Sequence, residues 1–220
     1  MQKLELIDVG KKIGDAQVLS EITLTLHSGK IYGFVGKNGS GKTMLFRAII
    51  GLIQLSQGKV LADGRELHKD MSILPNVGVI LENIGLYPEF TGAKNLKMLA
   101  DIQKKIGMEG IKEAIRRVGL DPDDKRPVRK YSLGMKQRIV LAQALMEKPE
   151  VLLLDEPTNA LDDGGVEMIR RIVLEEKKRG AIVLIASHNK EDIDLLCDEV
   201  FRINGGKITE HLSGENESEV

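Results

Sequence analysis

A glycine-rich loop between an apolar strand and a helix constrains this chain more than any other feature. The run from Ile31 to Val35 is apolar enough to form a buried strand. After it come a Gly, four residues and Gly-Lys-Thr, which is the phosphate-loop pattern. Glycines let successive N–H groups curl around phosphate oxygens, because they accept positive φ and carry no Cβ. The residues expected to contact a nucleotide are Gly36, Asn38, Gly39, Ser40, Gly41, Lys42 and Thr43.

Two side chains of this loop have separate expected roles. Lys42 reaches the β- and γ-phosphates, and the hydroxyl of Thr43 is a ligand for Mg²⁺. Leu45, Ile49 and Leu52 recur at helical spacing after the loop. The phosphates are therefore expected at a helix N-terminus, whose dipole favours anions. An ordinary glycine turn is the alternative, but the strand, the helix and every pattern position favour a nucleotide site.

The composition of the chain limits which classes of protein remain possible. A chain of 220 residues with 42% hydrophobic residues can bury one core, with room for one inserted subdomain. The net charge of −1 gives no basic field that would attract nucleic acid. The apolar runs are far shorter than the ~20 residues of a membrane-spanning helix, and the N-terminus lacks a signal-peptide pattern. We therefore expect a cytoplasmic protein in which the single cysteine, Cys197, is a core residue rather than a reactive thiol.

The order of predicted elements indicates an α/β fold. The first third alternates like antiparallel strands and contains the Asp63-Gly64 turn of a tight hairpin. In the middle, Thr91 is expected to cap a helix that runs to Gly107, and a second helix ends before Gly119. Strands and helices alternate in the last third, which favours a parallel sheet. The acidic tail 214–220 is expected to fray.

A second phosphate-site element begins the last third. Four apolar residues, 151–154, deliver Asp155 and Glu156 to the C-terminal edge of a buried strand, where open α/β sheets bind ligands. Asp155 is expected to hold Mg²⁺ through water or Thr43. Glu156 is expected to polarise a water that attacks the γ-phosphate. A strand that simply ends in a charged turn is the alternative, and the phosphate loop weighs against it.

Three further segments complete a family resemblance. Residues 131–138 (Tyr-Ser-Leu-Gly-Met-Lys-Gln-Arg) open an apolar helix, 159–162 (Asn-Ala-Leu-Asp) follow the carboxylates, and His188 follows a strand. Together with the loop, this order resembles the ATP-binding subunits of ABC transporters from end to end. The resemblance implies one ATP-binding domain over residues 1–220. It would have a RecA-like P-loop NTPase core at about 1–87 and 149–213, an N-terminal antiparallel β layer and an inserted α-helical subdomain at about 88–148.

The same resemblance implies a shared site. Ser132 and Gly134 would bind the γ-phosphate of an ATP held by a partner subunit, and Asp162 would lie in a loop across the dimer interface. His188 would contact the γ-phosphate and order the attacking water. Alone, such a His is usually a solvated turn residue, and Ser132 is most simply a helix cap.

The implied partners follow from that site. Two copies would close head to tail around two ATP molecules with Mg²⁺, most simply as a homodimer. Separate transmembrane permease subunits would carry the transport path, so the assembled protein would lie on the inner face of the cell membrane. No nucleic-acid partner is expected.

Four positions depart from the family pattern. Leu133 and Met135 stand where the signature has glycine and glutamine, so close backbone approach depends on Gly134. Ile13 replaces an aromatic residue that stacks on adenine, and an aliphatic side chain can cover the base but has no π-face. Glu82 replaces a glutamine near Mg²⁺. A carboxylate can ligate Mg²⁺ but cannot donate a hydrogen bond.

Local sequence points to a subgroup. Glu82, residues 87–92 and the signature resemble the ATPases that export bacitracin-type and lantibiotic peptides, often as producer immunity. The resemblance implies ATP hydrolysis that drives export of an antibiotic peptide or drug. Alternatives are an exporter of ions, lipids or polysaccharides, an ABC ATPase acting on ribosomes or DNA, and a binding switch with negligible turnover. The sequence shows neither the fused nucleotide domains nor the basic stripe of ribosome and DNA relatives, while Glu156 and His188 argue against a switch.

Overall fold

The computed structural model describes residues 1–81, 85–159 and 161–213. Its contacts divide the chain into two compact units. The first contains Met1–Pro75 and the segment from Val173 onward, and the second contains Asn76–Ile172. Glu82, one of the expected Mg²⁺ ligands, and the acidic tail lie outside the described residues.

The N-terminal part of the first unit contains an antiparallel sheet and the strand that leads to the phosphate loop. Its elements are β1 (Lys3–Ile13), β2 (Ala16–His27), β3 (Ile31–Val35), α1 (Lys42–Ile49), β4 (Gln57–Ala62) and β5 (Arg65–Glu66). The sheet order is β2-β1-β4-β5, and every pair is antiparallel. The expected Asp63-Gly64 turn joins β4 to β5, with positive φ at both residues. The antiparallel layer predicted for the first third is confirmed.

The second unit combines a pair of strands with helices. Its elements are β6 (Val77–Ile80), α2 (Gly92–Gln103), α3 (Met108–Arg117), α4 (Leu133–Leu145) and β7 (Val151–Asp155). Strands β6 and β7 are parallel, with Val77 opposite Val151. Helix α5 (Asp163–Lys178) begins in this unit. Thr91 caps α2 as predicted, because its Oγ1 accepts a hydrogen bond from the Lys94 N–H at 3.2 Å.

Two helices end earlier than the hydrophobic spacing predicts. Lys104 adopts φ 56 and closes α2 with a 2.7 Å bond from its N–H to the Ala100 carbonyl, so the helix does not reach Gly107. Gly51, at φ 81, follows α1, and Leu52 beyond it is exposed rather than on the buried helical face. In both places a left-handed backbone residue turns the chain before the apolar pattern ends.

The rest of the first unit surrounds β3. Its elements are β8 (Ile182–Ala186), α6 (Lys190–Leu196), β9 (Glu199–Asn204) and β10 (Lys207–Ser213). Strand β3 lies parallel to β8 and to β9, and β10 returns antiparallel to β9. Cys197 follows α6, and burial raises the pKa of its thiol to about 12. The thiol therefore stays protonated at neutral pH, as expected for an unreactive cysteine, although the residue is half-buried rather than part of the fully buried core.

An aromatic cluster fixes the elements on both sides of the phosphate loop. The ring of Phe34 in β3 meets the ring of Phe46 in α1 edge to face, with centroids 5.4 Å apart. The same ring stacks on Phe201 in β9, again at 5.4 Å. Phe34 and Phe46 are fully buried. Because such pairs add to the burial of apolar area, the cluster holds α1, β3 and β9 in one arrangement.

We expect Gly78→Ala to destabilise the protein by about 1–3 kcal/mol, because overpacking forces neighbours apart. A Cβ at Gly78 in β6 would lie 2.1 Å from the Ala144 carbonyl oxygen and 2.9 Å from Pro149 Cγ. Gly164→Ala is the matched control, since Gly164 lies in helix α5, is not in the positive-φ region and has no atom within 4 Å of its Cβ position. Urea unfolding midpoints measure the difference. Equal midpoints for the two variants would contradict the packing described for β6.

Candidate nucleotide-binding site

The phosphate loop lies so close to neighbouring backbone that two of its positions require glycine. A Cβ on Gly36 would lie 2.2 Å from the Ile203 carbonyl oxygen of β9. A Cβ on Gly41 would lie 3.1 Å from the Val18 carbonyl oxygen of β2, and Gly41 has φ 112. Side chains at these positions would displace the loop from its support.

The turn between β9 and β10 anchors the loop from the other side. The Gly206 N–H donates to the Ser40 carbonyl at 2.8 Å, and the Ser20 N–H donates to the Gly206 carbonyl at 2.8 Å. The loop is thus tied through Gly206 to β2. Sequence reasoning missed this contribution, because the Asn-Gly-Gly triplet at 204–206 indicates only a hairpin turn.

Lys42 lies at the centre of the loop. It is only 7% exposed, and its Nζ donates to the carbonyls of Gly36 at 2.7 Å and Lys37 at 3.3 Å. Among the described residues the buried Oγ of Ser40 has no hydrogen-bond partner. A buried ammonium group and an unpaired hydroxyl inside a glycine cradle fit a ligand with several phosphate oxygens.

His188 lies beside the loop, as expected. Its Nε2 is 2.8 Å from Asn38 Oδ1, which joins the residues after β8 to the phosphate loop. Both residues line a cavity of about 760 Å³, within the usual range of small-molecule sites. Other lining residues are Gly36, Lys37, Ser187 and Arg202. The lining also contains Lys190 and the anionic Asp194, and the excess of cationic side chains suits an anionic ligand.

Two further expected residues belong to the first unit. Thr43 follows Lys42 in the first turn of α1 and is half-buried. Ile13 ends β1, where it pairs with Ala16 of β2, and it is 54% exposed. Its side chain is accessible to a ligand, and it offers aliphatic surface only.

The carboxylates belong to the second unit. Asp155 ends β7 and is almost fully buried. Glu156 follows it with φ 49, a left-handed conformation that is uncommon for a residue with a long side chain. Such strained backbone is found at functional sites. Strand β7 therefore presents the two carboxylates in succession at its C-terminal end.

Helix α4 presents the signature residues at its N-terminus. The Oγ of Ser132 accepts a hydrogen bond from the Met135 N–H at 3.2 Å and caps the helix. Ser132 is exposed, Leu133 is 64% exposed and Gly134 is half-buried. An accessible helix N-terminus attracts anions through its N–H groups and its dipole.

Asp162 immediately precedes α5, and its carboxylate has two partners among the described residues. Its Oδ1 accepts from the Gly165 N–H at 3.0 Å and lies 3.4 Å from Nη2 of Arg138 in α4. The neighbouring Gln137 donates through Nε2 to the Pro157 carbonyl at 3.5 Å. The sequence places Gln137 and Arg138 at the end of the 131–138 segment but did not predict these contacts. The available signal was the helical spacing of four residues from Gly134 to Arg138.

The expected residues thus fall into two groups, each held in its own unit. The first unit holds the phosphate loop, Ile13 and His188, and the second holds Asp155, Glu156, Ser132, Gly134 and Asp162.

Comparison with known proteins agrees with these motifs. The sequence profile of the family described as "ABC transporter" matches residues 19–159. The chain is 48% identical over 205 residues to the uncharacterised ABC transporter ATP-binding protein YybJ of Bacillus subtilis (strain 168), covering 93% of this chain and 94% of YybJ. It is 38% identical over 207 residues to the bacitracin transport ATP-binding protein BcrA of Bacillus licheniformis, covering 93% and 68%. It is 33% identical over 210 residues to the lantibiotic transport ATP-binding protein SrtF of Streptococcus pyogenes, covering 93% and 88%.

A solved structure shares the fold. The dimeric, post-hydrolysis ATP-binding cassette MJ0796, bound to ADP and Pi, superposes with a TM-score of 0.85 at 20% identity. The match covers 96% of this chain and 98% of that one. The α/β fold with a RecA-like core and an antiparallel β layer, predicted from the sequence, is confirmed.

We expect Lys42→Ala to weaken ATP binding about tenfold or more, because each hydrogen bond from a charged group contributes roughly 1.5–3 kcal/mol. Lys59→Ala is the control, since Lys59 is an exposed lysine on β4 of the same unit. Titration with a fluorescent ATP analogue measures both affinities. If Lys42→Ala binds as tightly as Lys59→Ala, the phosphate-loop assignment is wrong.

Proposed function

Since this chain belongs to the ABC transporter family, we propose that it hydrolyses ATP at sites shared by two copies and so drives export of an antibiotic peptide or drug. The chain is an ATP-binding subunit of a transporter and an ATPase. The observation that carries the proposed chemistry is the phosphate loop, in which Lys42 is buried at the centre of a glycine cradle.

Each side chain of the site has a proposed part in hydrolysis. The loop N–H groups and Lys42 hold the phosphates, and Glu156 accepts a proton from the water that attacks the γ-phosphate. His188 orients that water from its position beside Asn38. The strand-end position of Glu156 and its left-handed backbone support this role.

We propose that Mg²⁺ binds with ATP. The Thr43 hydroxyl and the Asp155 carboxylate are hard oxygen donors, which this ion prefers. We propose Glu82 as a further ligand from its position in the sequence, because a carboxylate can replace the amide oxygen of the usual glutamine. Bound there, Mg²⁺ would offset negative charge on the phosphate oxygens.

A second copy supplies the missing half of each site in this proposal. Ser132 and Gly134 of one copy face the γ-phosphate held by the other, and Asp162 lies in the loop across the interface. The accessible N-terminus of α4 supports this arrangement, since an exposed helix start attracts anions through its N–H groups and its dipole. Ile13 covers the adenine with aliphatic surface, so we expect weak discrimination against other bases.

The permease would contact the second unit before and within α2. Tyr87 is exposed, its ring lies 5.8 Å from that of Phe90, and the Lys94 Nζ lies 3.7 Å above Phe90. The buried Asn95 fixes this surface, because its Oδ1 accepts from the Tyr87 N–H at 2.7 Å and its Nδ2 donates to the Tyr87 carbonyl at 3.2 Å. Rigid exposed aromatic residues are common at protein interfaces. The helical subdomain that we place at about 88–148 would carry this contact.

A separate permease also determines where the protein acts. No helix in the described part of the chain has the length and apolar character needed to cross a bilayer. We propose that the assembled subunit lies on the inner face of the cell membrane, bound to its permease. The relatives named for bacitracin and lantibiotic transport support a peptide antibiotic as cargo.

Glu156→Gln tests the proposed function. An amide keeps the shape of the side chain but cannot accept the proton, so ATPase activity should fall about 100-fold or more while ATP-bound dimers accumulate. Glu113→Gln, at an exposed carboxylate of α3, is the control. ATPase assays and size-exclusion chromatography with ATP measure both effects. Turnover at the wild-type rate would remove Glu156 from the mechanism.

The same variant tests the proposed cargo. Cells that express the chain with its permease should lose resistance to the exported peptide when Glu156 is replaced, and keep it with Glu113→Gln. Loss of ATPase activity with undiminished resistance would separate the ATPase from peptide export.

A further inference from the structure

Arg138 connects three segments of the second unit. Its Nη2 lies 3.4 Å from Asp162 Oδ1. A Cβ on Gly119, just beyond α3, would lie 3.1 Å from its Nη1, and a Cβ on Gly165 in α5 would lie 3.4 Å from its Nη2. The guanidinium therefore lies close to the backbone at Gly119 and within ordinary contact distance of the position that a Cβ at Gly165 would take. Its side chain is 22% exposed, whereas that of Asp162 is 80% exposed.

Asp162, which accepts the hydrogen bond from Arg138, is itself held in place by the start of α5. The Asp162 Oδ1 accepts from the Gly165 N–H, and the Asp162 main-chain carbonyl accepts from the N–H groups of Gly165 at 2.9 Å and Val166 at 3.0 Å. Asp162 thus caps the start of α5, and Arg138 bonds to the same carboxylate oxygen. A cap and an ion pair that share one oxygen leave Asp162 little freedom to turn.

The position of Arg138 on α4 links Asp162 to the signature. Gly134 and Arg138 are four residues apart, so they lie on the same face of the helix. The adjacent Gln137 reaches the Pro157 carbonyl, directly after Glu156. Two neighbouring residues of α4 therefore hold the loop that follows Glu156. Gln137 contacts the start of the loop at Pro157, and Arg138 contacts its end at Asp162.

We propose that Arg138 is a positioning residue that fixes Asp162 relative to Ser132 and Gly134, so that both segments engage the partner's ATP together. This inference rests on the proposed two-copy site. A flexible tether would let each segment approach the partner separately, whereas the contact from Arg138 Nη2 to Asp162 Oδ1 limits the distance between them. The Asp162 end of this ion pair is exposed, and exposed ion pairs add little to folding stability, so loss of the pair itself should appear in dimer closure and turnover.

Arg138→Ala, Arg138→Lys and Asp162→Asn test the role. Asn keeps the cap to Gly165 but loses the charge, and Lys keeps the charge but loses the fork. Lys112→Ala is the control, because it removes an exposed 2.8 Å ion pair with Asp123 in the same unit. We expect Arg138→Ala to lower kcat roughly 10- to 100-fold, as small misplacements of catalytic groups do. ATP affinity of the isolated subunit should match that of the control in every variant, and the melting temperature should match it in Asp162→Asn, which removes no packed side chain.

Two readouts separate positioning from a structural role. In a Glu156→Gln background, Arg138→Ala should reduce the ATP-dependent dimer, and Arg138→Lys should recover only part of it. The double variant Arg138→Ala/Asp162→Asn should lose no more kcat than Arg138→Ala alone, because both changes break one interaction. Additive losses, or unchanged kcat and dimer formation in Arg138→Ala and Asp162→Asn, would overturn the inference.

The proposed two-copy site is checked separately by the Glu156→Gln parent. If that parent forms no ATP-dependent dimer, the two-copy site fails and the positioning role of Arg138 falls with it. If the parent forms the dimer and every Arg138 variant does so equally, only the role of Arg138 is wrong.

Discussion

The phosphate loop depends on the contact between its backbone and that of β9. The Ile203 carbonyl comes so near to Gly36 that a Cβ would lie 2.2 Å away, and Gly206 bonds to Ser40 from the following turn. Because glycine has wide conformational freedom, a glycine-rich segment would not keep one curved conformation by itself. These contacts hold the loop in that conformation. Lys42 can then lie at the centre of the curve, and His188 can meet Asn38 at its rim.

The packing of the first unit stabilises the contact between the phosphate loop and β9. Phe34, Phe46 and Phe201 pack the strand before the loop, the helix after it and the strand beneath it into one cluster. A loop supported on both sides does not have to be ordered again whenever a nucleotide binds, so less of the binding energy is lost to ordering. The second unit is organised around α4 in the same way, with Ser132 at its start and Arg138 one turn after Gly134.

Local motifs could be predicted from the sequence because they depend on residues that are adjacent in the chain. The Asp63-Gly64 turn, the Thr91 cap and the helix that starts after the glycine-rich loop each form within a few positions, and the structure confirms all three. The ends of α1 and α2 were missed because Gly51 and Lys104 adopt left-handed backbone that hydrophobic spacing does not report.

Contacts between residues far apart in the sequence could not be predicted from it. The approach of Ile203 to Gly36 and the contact of Arg138 with Asp162 arise only when the strands and helices pack. The assignment of Ile13 and Glu82 depended on resemblance, because nothing in their local sequence specifies a base or a metal ion.

Mixing two inactive variants tests the shared site most directly. Lys42→Ala disables the phosphate loop and leaves the signature intact, whereas Gly134→Glu disables the signature and leaves the phosphate loop intact. In a head-to-tail dimer of one copy of each, one of the two sites combines the intact halves. ATPase activity should therefore be lost in each variant alone and return in the mixture. A mixture as inactive as its components would contradict a site built from two copies.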